Sequence, residues 1–316
     1  MQLKEVDRVE ITTVIDNVSD LLAMDSGEVV QRVQLVRDGK MEREQVVAEH
    51  GFSALVRAWS ADQSHLVLFD AGLSSIAVPF NLRSLGIDLA QLEALALSHG
   101  HLDHFGALLP LLEMLPRKPI PLVVHPDAFI TPRYLKFSED FKVFFPELVR
   151  EELKSAGAEL VETTGPRLMA GDCVLFLGEI DRVTDFEKGM AISFCVKDGR
   201  EQWDPISDDT ALVVNLKGKG LVIVSGCAHS GIINTVEQAR KVTGVKQVHA
   251  VIGGFHLNGP AFEPIIERTV EEMQRLAPRY VVPAHCTGEK AVRAFEQAMP
   301  EAYLRNLSGT RLTFAS

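Results

Sequence analysis

The sequence predicts an α/β fold built as one large domain. Two observations support this prediction: short apolar runs of strand length alternate with segments of helical periodicity, and several histidine-bearing loops begin where an apolar run stops. The chain has 316 residues, of which 46% are hydrophobic, so it can bury a large core. We therefore expect residues 1–316 to form a single domain.

The first half of the chain is predicted to alternate strands and helices. Runs rich in apolar and β-branched residues, bounded by polar or turn-forming residues, predict strands at residues 9–15, 52–59, 65–70, 95–98 and 120–125. Helical spacing of apolar residues predicts helices at residues 77–85, 89–92 and 106–115. The third helix stops before Pro116, because proline cannot continue the hydrogen bonds of a helix.

Residues 126–148 are the least regular segment of the sequence. They are rich in phenylalanine and are interrupted by Pro132 and Pro146. Long irregular segments of a compact domain are often functional surface loops. We interpret this segment as a lid or substrate-facing insertion, with a plain packing insertion as the alternative. Its apolar character also makes a homodimer an expectation.

The second half repeats the pattern of strands that run into polar loops. Strands are predicted at 211–216, 220–225, 248–252 and 279–282, and helices at 232–242 and 263–276. The loops that follow these strands carry Cys227, His229, His256, His285 and Cys286. Ligands collect at the carboxyl ends of strands in α/β sheets, so we expect these loops to meet at one edge.

The densest chemical feature is the histidine segment, residues 98–106, with the sequence SHGHLDHFG. It holds three of the ten histidines of the chain, His99, His101 and His104, together with Asp103. Imidazole and carboxylate are ligands that borderline divalent metals such as zinc prefer. The segment therefore predicts a metal site. Three other histidines do not follow a predicted strand and are interpreted as surface or core residues: His50, His65 and His249.

Composition argues against several other classes of protein. The formal net charge of −11 argues against a nucleic-acid surface, because phosphate binding requires clustered Lys and Arg. No apolar run reaches the roughly 18 residues of a membrane helix, and none near the amino terminus has the length of a signal peptide, so we expect a cytoplasmic protein without membrane contact. The four cysteines are widely spaced and form no CxxC pair, which indicates neither a disulfide framework nor a structural zinc knuckle.

Residues 99–104 spell an HxHxDH motif, and Phe69-Asp70-Ala71-Gly72 precede it. By these residues the chain resembles the metallo-β-lactamase superfamily, whose fold is a four-layer αββα sandwich with a two-metal site at one edge. Other stretches are similar to the branch labelled 7,8-dihydropterin-6-yl-methyl-4-(β-D-ribofuranosyl)aminobenzene 5'-phosphate synthases: Asp16-Asn17 with Asp20, and residues 208–213, 219–222, 226–234, 253–257 and 285–288. The motif indicates the fold strongly and the substrate hardly at all.

The resemblance also implies a set of metal ligands. His99 and His101 would bind one metal, Asp103 and His104 the other, and His285 would be the terminal ligand of the second metal. In the wider superfamily a bridging Asp follows a Gly at this point of the second half, whereas this chain has Gly226-Cys227. Either Cys227 or His229 would supply the bridging ligand, and we favour His229. His125 is a further candidate ligand of the first metal, with an ordinary strand end as the alternative.

The resemblance implies a dinuclear hydrolase that uses a metal-bound hydroxide on a small phosphate ester, phosphodiester, sulfate ester or lactone. Asp103 would orient the nucleophile. His256 would be the general acid, although it could instead bind metal or substrate. The cofactors would be two divalent ions, zinc by preference, with manganese or iron as alternatives. The alternatives to hydrolysis are a pterin-type phosphoribosyl transfer and a di-iron redox protein.

Overall fold

The structure is a computed structural model that describes residues 2–37, 39–41 and 43–316. Its strands are β1 (Glu5–Val6), β2 (Arg8–Ile15), β3 (Val30–Gln31), β4 (Val36–Arg37), β5 (Lys40–Met41), β6 (Ser53–Ser60), β7 (Gln63–Phe69), β8 (Leu92–Ala96), β9 (Ile120–Val124), β10 (Arg133–Lys136), β11 (Lys142–Phe144), β12 (Ala158–Glu162), β13 (Arg167–Met169), β14 (Val174–Phe176), β15 (Ser193–Lys197), β16 (Arg200–Trp203), β17 (Ala211–Leu216), β18 (Gly220–Ser225), β19 (Val248–Gly254), β20 (Tyr280–Ala284) and β21 (Arg311–Ala315). Its α-helices are α1 (Ala77–Ser84), α2 (Leu102–Phe105), α3 (Leu108–Met114), α4 (Arg150–Ala156), α5 (Ile232–Thr243), α6 (Ile266–Leu276) and α7 (Glu289–Ala298).

Two large sheets form the centre of the molecule. The first has the strand order β12-β9-β8-β7-β6-β2-β21-β3, and the second has the order β13-β14-β17-β18-β19-β20 with β1 paired to β17. One apolar cluster contains buried residues of both sheets, among them Val9 and Ile11 of the first and Leu212 and Val222 of the second. The two sheets therefore pack face to face.

Helices cover the outer face of each sheet. A second apolar cluster joins Leu82 of α1 and Leu111 of α3 to the first sheet. A third joins α5 and α6 to the second sheet. The sequence of helix α6 explains why it packs against the sheet. Its buried residues recur at helical spacing and so lie on one face: Ile266, Thr269, Val270 and Met273. Three apolar layers thus separate four layers of secondary structure, which confirms the predicted αββα fold.

Parallel strands bring the polar loops to one edge of this sandwich. In the first sheet β7, β8 and β9 are mutually parallel, and in the second sheet β18, β19 and β20 are. The carboxyl ends of parallel neighbours lie at the same edge of a sheet. The loops after these six strands carry the histidine segment and the histidines of the second half.

Residues 126–148 are more regular than the sequence indicates. Strands β10 and β11 form an antiparallel pair, and β10 also pairs with β15 in a separate four-stranded sheet of order β11-β10-β15-β16, called the cap sheet below. The expectation of an irregular segment was wrong because the partner strand β15 lies some 60 residues away along the chain, and pairing over that distance leaves no local pattern.

The helix predicted at 106–115 is α3, which begins at Leu108. The short helix α2 ends at Phe105, and at Gly106, between the two helices, a Cβ atom would lie 1.8 Å from the carbonyl oxygen of Leu73. The backbone N–H of Gly106 donates to Gly72 O over 2.8 Å. This hydrogen bond connects the end of the histidine segment to the loop after β7. None of the described helices combines the length and the apolarity needed to cross a bilayer.

Candidate metal centre

The loops at the carboxyl edge of the two sheets enclose a cavity of about 680 Å³. Its floor holds candidate metal ligands from both halves of the chain, and its walls include residues of the cap sheet. The residues that line it are Asn17, His50, Leu73, His101, Leu102, Asp103, Leu135, Phe145, Pro146, Met190, Cys227, His229, His256, Asn258, His285, Cys286, Gly288 and Glu289.

Three imidazoles converge in the first donor group, His99, His101 and His229. His99 Nε2 lies 3.0 Å from His101 Nδ1 and 3.2 Å from His229 Nε2. Burial lowers the pKa of all three rings, in the case of His101 to about 3, so they are neutral near pH 7. The outer nitrogens His101 Nε2 and His229 Nδ1 are buried without a hydrogen bond to any described residue.

A cluster of neutral, buried imidazoles is unfavourable without a ligand between them. Polar atoms of a protein interior are normally hydrogen-bonded, whereas His101 Nε2 and His229 Nδ1 have no partner among the described residues. A divalent cation would accept lone pairs from these rings, and neutral imidazole is the form in which histidine binds zinc. The first donor group therefore fits a metal ion.

His99 is oriented from behind by Ser98 and Asp70. The Ser98 hydroxyl lies 2.9 Å from His99 Nδ1 and donates to Asp70 Oδ2 over 2.7 Å, while the Ser98 N–H donates to Asp70 Oδ1, also over 2.7 Å. All three residues are buried. Partners of this kind fix the ring orientation of a metal-binding histidine.

A buried ion pair holds the turn between His99 and His101. Asp208 accepts the backbone N–H of Gly100 over 2.7 Å and pairs with Arg133 of the cap sheet at 2.7 Å. Arg133 also pairs with Asp204 at 2.6 Å. Burial opposes the charge of Asp208, but Arg133 outweighs it and lowers the pKa of Asp208 to about 2. Arg133 is thus occupied within the protein and does not line the cavity.

The second donor group consists of Asp103, His104 and His285. Asp103 Oδ2 lies 3.3 Å from His285 Nε2 and 3.8 Å from His104 Nε2. His104 Nδ1 contacts Asp70 Oδ2 at 2.6 Å. Burial alone would lower the pKa of His104, but Asp70 and Asp103 outweigh it and raise that pKa to about 9. This set of imidazoles and a carboxylate would suit a second cation, whose binding would displace the proton that the raised pKa keeps on His104 near pH 7.

Cys227 belongs to both donor groups. Its Sγ atom lies 3.1 Å from His104 Nε2, and it is within 4.8 Å of the ligand atoms of Asp103, His104 and His285 on one side and of His99 and His229 on the other. We favoured His229 from the sequence as the bridging ligand. In the structure His229 lies within the first donor group, and Cys227 occupies the position between the groups.

His256 and His285 both sit in strained backbone conformations. Their φ angles are 45° and 49°, in the left-handed region that costs a non-glycine residue roughly 1–2 kcal/mol. The His256 ring lies 4.2 Å from the ring of His229 and 4.6 Å from that of Phe262, measured between centroids. Its ligand atom is within 4.8 Å of the thiols of Cys227 and Cys286.

His125 stays apart from the two donor groups. Its Nε2 lies 3.1 Å from Glu179 Oε1, and its Nδ1 accepts the N–H of Asp127 over 3.0 Å. Both ring nitrogens are therefore engaged elsewhere, as expected of the alternative in which His125 is an ordinary strand end.

Sequence reasoning missed two residues of the site. His50, interpreted as a surface or core residue, lines the cavity, with its Nε2 3.6 Å from Asp103 Oδ2 and its ring 5.1 Å from that of His285. No pattern around His50 signals this position. Asn17 contacts His285 Nδ1 at 3.3 Å, and the Asp16-Asn17 pair that resembles the synthase branch was the signal for it.

The outer wall of the cavity is apolar. Leu135, Phe145 and Pro146 come from the segment 126–148, and Met190 comes from the loop before β15. Among the described residues that line the cavity, none is lysine or arginine. A ligand in this cavity would therefore meet donor groups at the floor and apolar surface at the wall.

Comparisons with known proteins agree with this fold. Residues 47–183 match the family model described as the metallo-beta-lactamase superfamily. A Methanocaldococcus jannaschii protein named 7,8-dihydropterin-6-methyl-4-(beta-D-ribofuranosyl)-aminobenzene-5'-phosphate synthase is 31% identical over 275 residues, covering 84% of this chain and 90% of the relative. An uncharacterized protein of the same organism is 33% identical over 256 residues, covering 79% of this chain and 88% of the relative.

A solved structure gives the same result for the fold. It is described as a metal-dependent hydrolase of the beta-lactamase superfamily, and it matches 98% of this chain and 100% of its own with a TM-score of 0.73 and 26% sequence identity.

Proposed function

Because this chain belongs to the metallo-β-lactamase superfamily, we propose that it is a dinuclear metal-dependent hydrolase of a small phosphate ester, phosphodiester, sulfate ester or lactone. The observation that carries the proposal is the pair of donor groups at the cavity floor with Cys227 shared between them. Zinc is the preferred metal, with manganese or iron as alternatives, since the donors are imidazole, carboxylate and thiolate.

Two bound cations would lower the pKa of a water between them and polarise the scissile bond of the substrate. Asp103 is the residue suited to orient that water. Burial opposes its charge, but His104 and His285 outweigh burial and hold the pKa of Asp103 far below its usual range, so it stays a hydrogen-bond acceptor. His256 reaches the cavity from the loop after β19 and is suited to donate a proton to the leaving group.

The cavity walls favour some substrates over others. With no lysine or arginine in the lining, a charged phosphate far from the floor has no cationic partner. An uncharged, apolar group fits against Leu135, Phe145 and Met190. Within the proposed range we therefore expect lactones and esters with an apolar substituent to be better substrates than multiply phosphorylated compounds.

His101→Ala is expected to halve the metal content, because it removes one donor of the first group and leaves the second group intact. Elemental analysis of the purified, unchelated protein should give about two divalent ions per chain for the wild type and about one for the variant. His65→Ala is the matched control, since His65 contacts Glu93 on the first sheet and does not line the cavity.

Equal metal content in wild type and His101→Ala, or no stoichiometric metal in the wild type, would contradict the proposal. The same preparations should be assayed against a panel of lactones, carboxylic esters, phosphate esters and sulfate esters. Two irons per chain with a visible absorption band would instead support the di-iron redox alternative.

His256→Ala is expected to lower kcat by about 10²–10⁴-fold while the metal content stays at the wild-type value, which is the magnitude of general acid catalysis. The measurement is kcat with the substrate that the panel identifies, together with elemental analysis of the same sample. Asn258→Ala, which alters the same cavity wall without removing a titratable group, is the control. If metal content and turnover fall together, His256 is a ligand and the acid role is wrong.

A pterin-type phosphoribosyl transfer is the second candidate, favoured by the 31% identity to the named synthase over most of the chain. This reaction releases pyrophosphate from a phosphoribosyl donor, so pyrophosphate release in the presence of an aromatic acceptor tests it. The absence of cationic side chains from the described cavity lining argues for hydrolysis over this transfer.

A further inference from the structure

Two cysteines meet across a strand that separates them in the sheet. Cys227 follows β18 and Cys286 follows β20, and β19 lies between these strands. Strands two positions apart in a sheet are roughly 10 Å from each other, which is too far for two short side chains to touch. Gly254 at the end of β19 removes the obstacle, because a Cβ atom there would lie 2.7 Å from Cys286 Sγ and 3.2 Å from Cys227 Cα.

The two thiols are close and have a route to solvent. Their sulfur atoms lie within 4.8 Å of each other, and Cys286 Sγ is 3.6 Å from the carbonyl oxygen of Cys227. Both are free thiols, and both line the cavity. The remaining cysteines, Cys173 and Cys195, are buried elsewhere and line no part of it.

We propose that Cys227 and Cys286 form a reversible disulfide when a peroxide enters the cavity. In this step the O–O bond of the peroxide breaks and an S–S bond forms between the two sulfur atoms. The two thiols are oxidised, the peroxide is reduced, and with hydrogen peroxide the two thiol protons leave in two molecules of water. A disulfide needs sulfur atoms about 2.05 Å apart, so the two side chains must move together from a separation of at most 4.8 Å.

Disulfide formation has a consequence for the metal centre that rests on the proposed function. Cys227 is the donor that both groups share, and a sulfur atom in a disulfide is no longer a thiolate ligand. Oxidation would therefore release metal from both positions, and a thiol reductant would restore metal binding. A carboxylate in the same position would not respond to peroxide in this way.

The test is oxidation of the purified protein with a small molar excess of hydrogen peroxide, before and after chelation of metal. A Cys173→Ala, Cys195→Ala double variant keeps only the cavity pair, so its whole thiol content reports on that pair. We expect it to lose both thiols and the mass of two hydrogen atoms, and dithiothreitol to reverse both changes. Peptide mapping of the wild type should find Cys227 linked to Cys286, and this reading does not depend on any variant folding.

The possible outcomes distinguish failure of the disulfide inference from failure of the proposed metal centre. Addition of oxygen atoms to the thiols without a Cys227–Cys286 link, or a link that involves Cys173 or Cys195, would overturn the inference and leave the hydrolase proposal standing. A disulfide that forms while bound metal remains at its original content would support the inference and contradict the role of Cys227 as a shared ligand. In Cys286→Ala, peroxide should produce no link to Cys227.

Discussion

Cys227→Ala is expected to strip metal from both donor groups at once, whereas a change in any other single donor should affect one group. The reason is position, because Cys227 Sγ lies within 4.8 Å of the ligand atoms of His99 and His229 in the first group and of Asp103, His104 and His285 in the second. We expect metal content to fall below one ion per chain and kcat/KM to fall by more than about 100-fold, beyond the loss typical of residues that merely support a ligand. Elemental analysis and the hydrolysis assay on one preparation measure both effects.

Cys227→Asp is the informative companion variant. It replaces the thiolate with the carboxylate that the wider superfamily uses as its bridge, so we expect it to retain two ions per chain while Cys227→Ala does not. Cys195→Ala, a buried free thiol of the cap sheet, controls for loss of a cysteine as such. Full metal content in Cys227→Ala would refute the shared-ligand assignment.

Asp208→Ala should be among the most destabilising single changes in the protein. It would leave the buried guanidinium of Arg133 with Asp204 as its one carboxylate partner among the described residues and would remove the acceptor of the Gly100 N–H. Breaking a buried pair by removing one partner costs about 3–5 kcal/mol, because a charge stays behind in a poorly solvated place. Urea denaturation of the metal-free protein measures this as a loss in the free energy of unfolding.

The stability difference between wild type and Asp208→Ala should change with pH in a definite direction. The pKa of Asp208 is lowered to about 2 in the folded protein, so its contribution is present above its ordinary pKa and is lost as the carboxylate becomes protonated. The gap between wild type and Asp208→Ala should therefore shrink as the pH falls from about 4 toward 2. Asp181→Ala, which breaks the exposed pair with Lys241, should cost less than about 1 kcal/mol. Equal losses in the two variants would contradict a role for the buried network.

The histidine segment was predictable because its donors are contiguous. Strand β8 ends two residues before it, and His99, His101, Asp103 and His104 reach both donor groups from one short stretch of chain. Residue type and spacing are enough to predict a metal site when the donors lie this close together in the sequence. The αββα fold was predictable for a similar reason, since long apolar strands and amphipathic helices such as α6 leave local periodicities.

The position of His50 depends on contacts between distant parts of the chain. The N–H of Phe52 donates to the carbonyl oxygen of Asp103 over 3.1 Å, and Gly51 packs so closely that a Cβ would lie 2.8 Å from Leu73 N. These contacts place His50 at the cavity, and the local sequence predicts neither of them.

The position of Cys227 between the two donor groups has no signal in the local sequence either, and Cys227 and His229 both stay candidates for the bridging ligand. Ala228 between them adopts a left-handed φ of 56°, so the two neighbours do not follow the alternation of a regular strand. The cap sheet was missed because its strands are short and pair across some 60 residues, as β10 does with β15.

The candidate metal donors come from loops of two different sheets, and this division would couple metal binding to folding. Neither sheet alone carries a complete set, since the histidine segment follows β8 while Cys227, His229 and His285 follow strands of the other sheet. A cation held between them binds only the packed sandwich, so its binding free energy adds to the stability of the native state by mass action. Metal supply would thereby regulate how long the chain survives proteolysis as well as how fast it reacts.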